Sequence, residues 1–187
     1  MKLLPLFLLL FCVSVKAAEL DGVRVEDQTR VGGQTLHLNG LALRTRFFFK
    51  VYVAGLYLPL KTQDGPLAIA MPGNKRMMLV MLRDVDADSF SKSLRAALDD
   101  SNSPAELERL KPQIDTLFAA IERIGEAKKG TTIVLDFAPP AGTSLAVNGK
   151  LEMKPVEGDD FFAALLRIWL GEGPVAAQMK KALLGAP

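Results

Sequence analysis

The chain opens on a block without periodicity: Lys2 is followed by thirteen mostly apolar residues, Leu3 to Val15, and then by Val15-Lys16-Ala17. A basic start, an apolar run and small residues at its end have the form of a secretory signal peptide, and the run is shorter than the ~20 residues a spanning helix needs. This predicts a signal peptide over 1–17 and one domain over 18–187, periplasmic or secreted, with no stable membrane span after cleavage. Alternation of period two then marks Val23-Arg24-Val25 and Thr35-Leu36-His37-Leu38 as strands. Asn39-Gly40 reads as a turn, because both residues tolerate positive φ. It feeds Leu41 to Leu60, LALRTRFFFKVYVAGLYLPL, an aromatic and β-branched stretch that reads as one long strand, which Pro59 ends or places at an edge. From Phe47 onward both parities are largely apolar, as in a strand covered on both sides. Leu67 to Met71 and Arg76 to Leu82 read as two further strands around Pro72-Gly73-Asn74.

The period then lengthens. Asp86 is placed to cap a helix that carries Phe90, Leu94, Ala97 and Leu98 on one side. Ser103-Pro104-Ala105-Glu106 is a capping box with proline at the first helical position, and the apolar residues from Leu107 to Ile121 recur at helical spacing as a single helix. Strands return at Thr131 to Phe137, Ser144 to Val147 and Lys150 to Met153, the last two joined by Asn148-Gly149 as a hairpin. A helix from Asp159 stops at Gly171, and Pro174 opens a last one that ends at Gly185. Strands, helices, strands and helices, with hairpins instead of regular βαβ alternation, predict an α+β fold: an open-faced, mainly antiparallel sheet with a layer of helices on one face.

Composition narrows the function. At 187 residues and 49% hydrophobic the chain is long enough for a substantial core. Removing residues 1–17 takes Lys2 and Lys16 with it, so 23 basic residues become 21 against 21 acidic ones, and a formally neutral surface offers no footprint for nucleic acid. The single cysteine, Cys12, leaves with the leader. One histidine and no cysteine make no metal site, Gly125 to Thr131 lacks the order of a phosphate loop, and no hydrolase elbow is present, so no cofactor and no metal are expected.

What remains is Arg44, Arg46, Lys50 and Tyr52, cations and a hydroxyl set among phenylalanines. Two readings stand. The arginines are solvated and Tyr52 is a satisfied core tyrosine, or Arg44 pairs with a ligand carboxylate in two parallel hydrogen bonds while Tyr52 adds a third donor. In an uninterrupted strand roughly 26 Å would separate the two. They cooperate only if the chain turns or bulges between them.

Asn39-Gly40-Leu-Ala-Leu-Arg44, followed by Phe48-Phe49-Lys50-Val51-Tyr52-Val53-Ala54-Gly55-Leu56-Tyr57-Leu58, resembles the signature of the chalcone isomerase-like family. The later order of strand, two helices, hairpin and Leu-Gly-Glu helix is similar too, over roughly residues 22–184. The resemblance implies a ligand cleft between sheet and helices. In the plant isomerases of that family, cyclisation relies on an arginine, a threonine, a tyrosine, an asparagine and a later hydroxyl residue. Arg44 matches the arginine, whereas Tyr52, Phe90, Ala97 and Ile168 stand at the other positions, so most of the polar apparatus for that reaction is missing. An arginine paired with a tyrosine resembles instead the fatty-acid-binding branch, where the two hold the ligand's carboxylate, and Phe90, Ala97 and Ile168 would make the cleft more apolar. The expectation is a non-catalytic binder of a fatty acid or similar amphipathic carboxylate, with Arg44, Tyr52, Phe90, Ala97 and Ile168 as ligand-binding residues and none catalytic. The alternatives are an isomerase or lyase-type enzyme using Arg44 and Tyr52 as oxyanion donors, and a structural or partner-binding protein whose cleft is filled by its own side chains.

Cleavage after Ala17 or Ala18 predicts a mature protein that begins at Ala18 or Glu19 and lies outside the cytoplasm. Terminal sequencing of the exported fraction checks this, and an intact N-terminus found only in soluble cytoplasm would contradict it.

Overall fold

The computed structural model describes residues 17–186, so all but the last residue of the expected signal peptide lies outside the described residues. Two short strands, β1 (Ala17–Leu20) and β2 (Val23–Glu26), form an antiparallel hairpin of their own. Seven more strands form a single sheet: β3 (Gln28–Val31), β4 (Gln34–Arg46), β5 (Phe49–Leu58), β6 (Lys75–Met81), β7 (Thr132–Ala138), β8 (Gly142–Val147) and β9 (Lys150–Val156). They lie in chain order, each antiparallel to its neighbour. Six helices accompany them: α1 (Gly65–Ala70), α2 (Ala87–Ser101), α3 (Pro104–Arg109), α4 (Lys111–Ile124), α5 (Asp159–Leu170) and α6 (Pro174–Leu183). The fold is α+β, a curled antiparallel sheet with its helices packed against one face.

The expected long strand from Leu41 to Leu60 is in fact a hairpin. β4 and β5 pair with Arg46 opposite Phe49, and Phe47-Phe48 makes the turn. Phe47 holds a φ of 55°, a left-handed conformation that a bulky residue adopts at a cost. Three consecutive phenylalanines carry no turn signal, and the reason the chain reverses there is nonlocal. Continuing straight would carry Arg46 and Lys50 into a strand covered on both faces, where unpaired charges are expensive. Reversal leaves both exposed at the sheet's end.

Asn39-Gly40 differs in the opposite sense. It is not a turn but lies inside β4, at a register shift between Leu38 and Gly40. The Asn39 amide donates to the Leu183 carbonyl at 2.7 Å and the Thr62 carbonyl at 3.0 Å, and its Oδ1 accepts from the Thr62 N–H at 2.8 Å. The shift changes which parity faces which side. Leu36 and Leu38 join Val25, Val31 and Tyr57 beneath the β1–β2 hairpin, whereas Ala42 joins Ala54, Leu56, Met77 and Leu79 in the larger core under the helices. Arg44, two residues on, shares the parity of Ala42.

Two helical expectations also change. Leu67 to Met71 is not a strand but belongs to α1 and its C-cap; Asp64 caps its N-terminus by accepting from the Leu67 N–H, and Pro66 sits in its first turn. The single helix expected from Pro104 to Ile121 breaks at Leu110 into α3 and α4, because Pro112 has no N–H to give the carbonyl four residues earlier. The Asp86 and Ser103 caps form as the sequence indicates, accepting from the N–H groups of Ser89 and Glu106. Nearly every residue of α5 from Phe161 to Leu170 is buried, since the sheet lies on one side and α1, α2 and α6 on the other.

The end of α6 rests directly on Gly40. A Cβ there would lie 2.2 Å from the Ala182 carbonyl oxygen and 2.6 Å from that of Leu183, both backbone atoms that cannot swing aside. Gly40→Ala is therefore expected to lower unfolding stability by about 1–3 kcal/mol, read as a fall in the denaturant midpoint.

Candidate functional site

A second register shift, between Arg44 and Thr45, leaves Val51 as an extra residue in β5 and sets Arg44 directly opposite Tyr52. Hairpin and bulge together convert a separation of eight residues along the chain into a cross-strand pair, with Cβ atoms about 5 Å apart for such neighbours. Both side chains belong to the helix side of the sheet. Tyr52 packs against the main core, and the Arg44 charge acts on its hydroxyl.

From above, α5 supplies Trp169, whose indole N–H donates to the Tyr52 hydroxyl oxygen at 3.0 Å. The hydroxyl thereby serves as acceptor while its own hydrogen bonds to none of the described groups. Burial pushes the Tyr52 pKa up, and the Trp169 hydrogen bond and the Arg44 charge pull the other way. Tyr52 is thus a neutral hydroxyl at ordinary pH with a proton to offer. From the side, α6 supplies Gln178. Its Oε1 accepts from Arg44 Nη1 at 2.7 Å and from the Thr45 N–H at 3.1 Å, while its Nε2 donates to Thr45 Oγ1 at 2.7 Å. A trigonal oxygen that takes one guanidinium and one backbone N–H stands as one oxygen of a carboxylate would. Among the described residues Arg44 has no carboxylate partner.

The remaining expected site residues lie deeper. Ala97 of α2 and Ile168 of α5 are buried in the main core, and Phe90 of α2 is half-buried against it. They share one apolar cluster with Tyr52 and Trp169. The protein's own side chains close over that cluster, among them Met77, Met81 and Met179, each almost wholly buried. Surface hollows do exist elsewhere: one of about 420 Å³ is lined by Arg95, Asn102, Leu107 and Lys111, and another of about 400 Å³ by Arg123, Thr131 and Val147. Neither includes Arg44 or Tyr52.

Two members of the site escape sequence reasoning. Trp169, at helical spacing with Phe161 and Phe162, has the pattern of ordinary core packing, yet it orients the Tyr52 hydroxyl. Gln178 gives no signal at all, being one polar residue on the exposed side of α6; only the closeness of α6 to β4 assigns it a role.

Residues 17–185 match the chalcone isomerase-like family. Among solved structures, the crystal structure of a fatty-acid binding protein from Arabidopsis thaliana superposes with a TM-score of 0.72 over 90% of this chain and 96% of that one, at 13% sequence identity. At that identity the likeness concerns the fold. No curated protein sequence matches significantly.

The chain's two tyrosines give a pH signature. Burial raises Tyr57 to about 12, against the opposing charge of Arg76, and raises Tyr52 as well. Because both folded values exceed the unfolded value of about 10, their contribution to stability is complete below that pH and is lost as pH rises through the folded values. The expected alkaline titration shows little tyrosinate absorbance at pH ~10 while the protein is folded, and a denaturant midpoint that begins to fall above it. Ordinary tyrosine ionisation with no change in stability would contradict the burial described.

Proposed function

The chain belongs to the chalcone isomerase-like family, and we propose that within it this protein is a non-catalytic binder of a fatty acid or similar amphipathic carboxylate, working in the periplasm or outside the cell. The observation that carries this reading is the Arg44–Tyr52 cross-strand pair, with Gln178 Oε1 held against Arg44 and the Thr45 N–H. A ligand carboxylate takes the place of that amide oxygen: one oxygen accepts from Arg44 and Thr45, and the other from Tyr52. Exchange is favourable because a carboxylate sets a full negative charge, and a second acceptor oxygen, against a guanidinium that otherwise faces a neutral amide. The acyl chain then runs between sheet and helices, past Phe90, Ala97 and Ile168, into space held by Met77, Met81 and Met179. Unbranched methionines move aside more readily than branched residues do. The fatty-acid binding description of the Arabidopsis neighbour supports the same ligand class. Phe90, Ala97 and Ile168 offer no group to move a proton, which favours binding over isomerisation.

One observation favours a second reading. Sheet and helices share one continuous cluster of buried apolar side chains, the packing expected of a structural or partner-binding member.

A fatty-acid titration followed by Trp169 fluorescence separates the two. Arg44→Ala is expected to weaken binding by about 1.5–3 kcal/mol, the range for a hydrogen bond to a charged group, and Tyr52→Phe by about 1 kcal/mol. The two losses combine non-additively, since both groups hold one carboxylate. Gln178→Ala is expected to strengthen binding by up to about 1 kcal/mol, because it removes the internal acceptor that the ligand displaces. A methyl ester of equal length loses most of the Arg44 contribution. Equal affinities for wild type and Arg44→Ala would return the site to the structural reading.

A further inference from the structure

The tip of the β4–β5 hairpin is apolar and uncovered. Phe47, Phe48 and Phe49 are 84%, 99% and 60% exposed, consecutive residues at and beside a two-residue turn. Isolated surface apolar residues are ordinary, but three adjoining phenyl rings at a convex apex form a patch without a partner in the described fold. The chain spends conformational energy to build it, since Phe47 holds a φ of 55° that asparagine or glycine would adopt more easily.

Cations form a collar behind the apex. The Arg46 guanidinium lies 5.9 Å from the centre of the Phe47 ring, and that of Arg83, from the segment after β6, lies 5.0 Å from the centre of the Phe49 ring. Of the carboxylates in adjoining segments, Asp21 is engaged by Lys50, and Asp84 accepts from the Lys129 N–H. Neither pairs with Arg46 or Arg83; Arg46 donates instead to the Ser93 hydroxyl of α2 at 3.1 Å, so no carboxylate among the described residues neutralises either guanidinium. One or two strand residues behind the apex is roughly 3–7 Å, which places the guanidinium groups at lipid-headgroup level when the rings are immersed to the interfacial depth of ~5–10 Å.

We propose that this hairpin tip is a docking element for an anionic lipid bilayer, its phenylalanines entering the interface and Arg46 and Arg83 binding the phosphate headgroups. A protruding point of aromatic rings suits a deformable apolar layer, and two guanidinium groups without carboxylate partners complement a negative surface. Among the described residues no helix is long and apolar enough to cross a membrane, and the contact proposed is a peripheral one. Arg44 lies three residues from Phe47. If the carboxylate site proposed above holds, docking sets its mouth against the bilayer from which an acyl ligand would come. The docking itself does not require that site.

Flotation of the exported-length protein with vesicles of phosphatidylethanolamine and phosphatidylglycerol, against vesicles of phosphatidylcholine alone, tests this. Wild type is expected to float with the anionic vesicles and to be released by salt. Phe47→Asn with Phe48→Ser, the asparagine chosen because it tolerates the turn's positive φ, is expected to reduce the floating fraction about tenfold with an unchanged melting temperature. Arg46→Gln with Arg83→Gln is expected to abolish the preference for anionic vesicles. Fatty-acid titration of the same variants distinguishes failure of docking from failure of the carboxylate site. Wild type that stays soluble beside anionic vesicles, hairpin variants that float as well as wild type, or a Phe48-dependent dimer in sedimentation that ignores vesicles would each overturn the proposal.

Discussion

The docking of the α6 C-terminus onto the Asn39–Gly40 bulge is the contact on which the site depends. The Asn39 amide satisfies the Leu183 carbonyl, one of the orphan acceptors that every helix end carries, and the missing Cβ at Gly40 lets the helix backbone approach. The same bulge turns Ala42 and Arg44 toward the helices, while Leu36 and Leu38 face the other way. Once α6 is anchored there it runs beside β4, and Gln178 falls within reach of Arg44 and Thr45. One backbone irregularity thus decides both which face the arginine presents and which helix meets it.

Local signals worked where local energetics decide the structure. Asn148-Gly149 closes β8 onto β9 with φ values of 49° and 80°, and Asp86 and Ser103 cap their helices, because these features need only neighbouring residues. They failed where a distant partner wins. Asn39 has the same preference for a turn as Asn148, yet its hydrogen bonds run to Thr62 and to Leu183, the latter 144 positions away, and those bonds hold it in a strand. At Phe47-Phe48 the reversal has no favourable residue, and it follows from where Arg46 and Lys50 must end. The candidate site divides along the same line. Arg44 and Tyr52 stand out as residue types, and the requirement that the chain turn between them was legible; that it does so by a hairpin and a one-residue bulge was not.

The electrostatics of the site grade from wet to dry over a short distance. Arg44 sits half-buried at the edge, bonded to a neutral amide, whereas the Tyr52 hydroxyl is desolvated enough for its pKa to rise despite the nearby guanidinium. Such a gradient suits an amphipathic molecule better than a polar one. A charged head at the rim keeps part of its hydration, and only the tail has to enter the core. Full burial of an ion pair would cost more than the pairing returns.

The packing between sheet and helices sets the energetic condition that any acyl ligand must meet. Each buried methylene returns about 0.8 kcal/mol from leaving water, while each displaced core side chain forfeits its own burial and contacts, so a tail that merely replaces packed residues gains little. Net affinity therefore has to come from the head, through the exchange of the Gln178 amide oxygen for a carboxylate. A ligand held in a bilayer gains nothing further from its tail, which is already out of water there, so transfer is easiest when protein and membrane share one interface and the tail is never exposed on the way. The β4–β5 hairpin carries the means for both, with Arg44 and Tyr52 along its length and three phenylalanines at its apex. On the proposed reading, the cost that Phe47 bears at its positive φ is repaid at that interface, since a glycine or asparagine turn would relieve the backbone and remove the ring that enters the lipid.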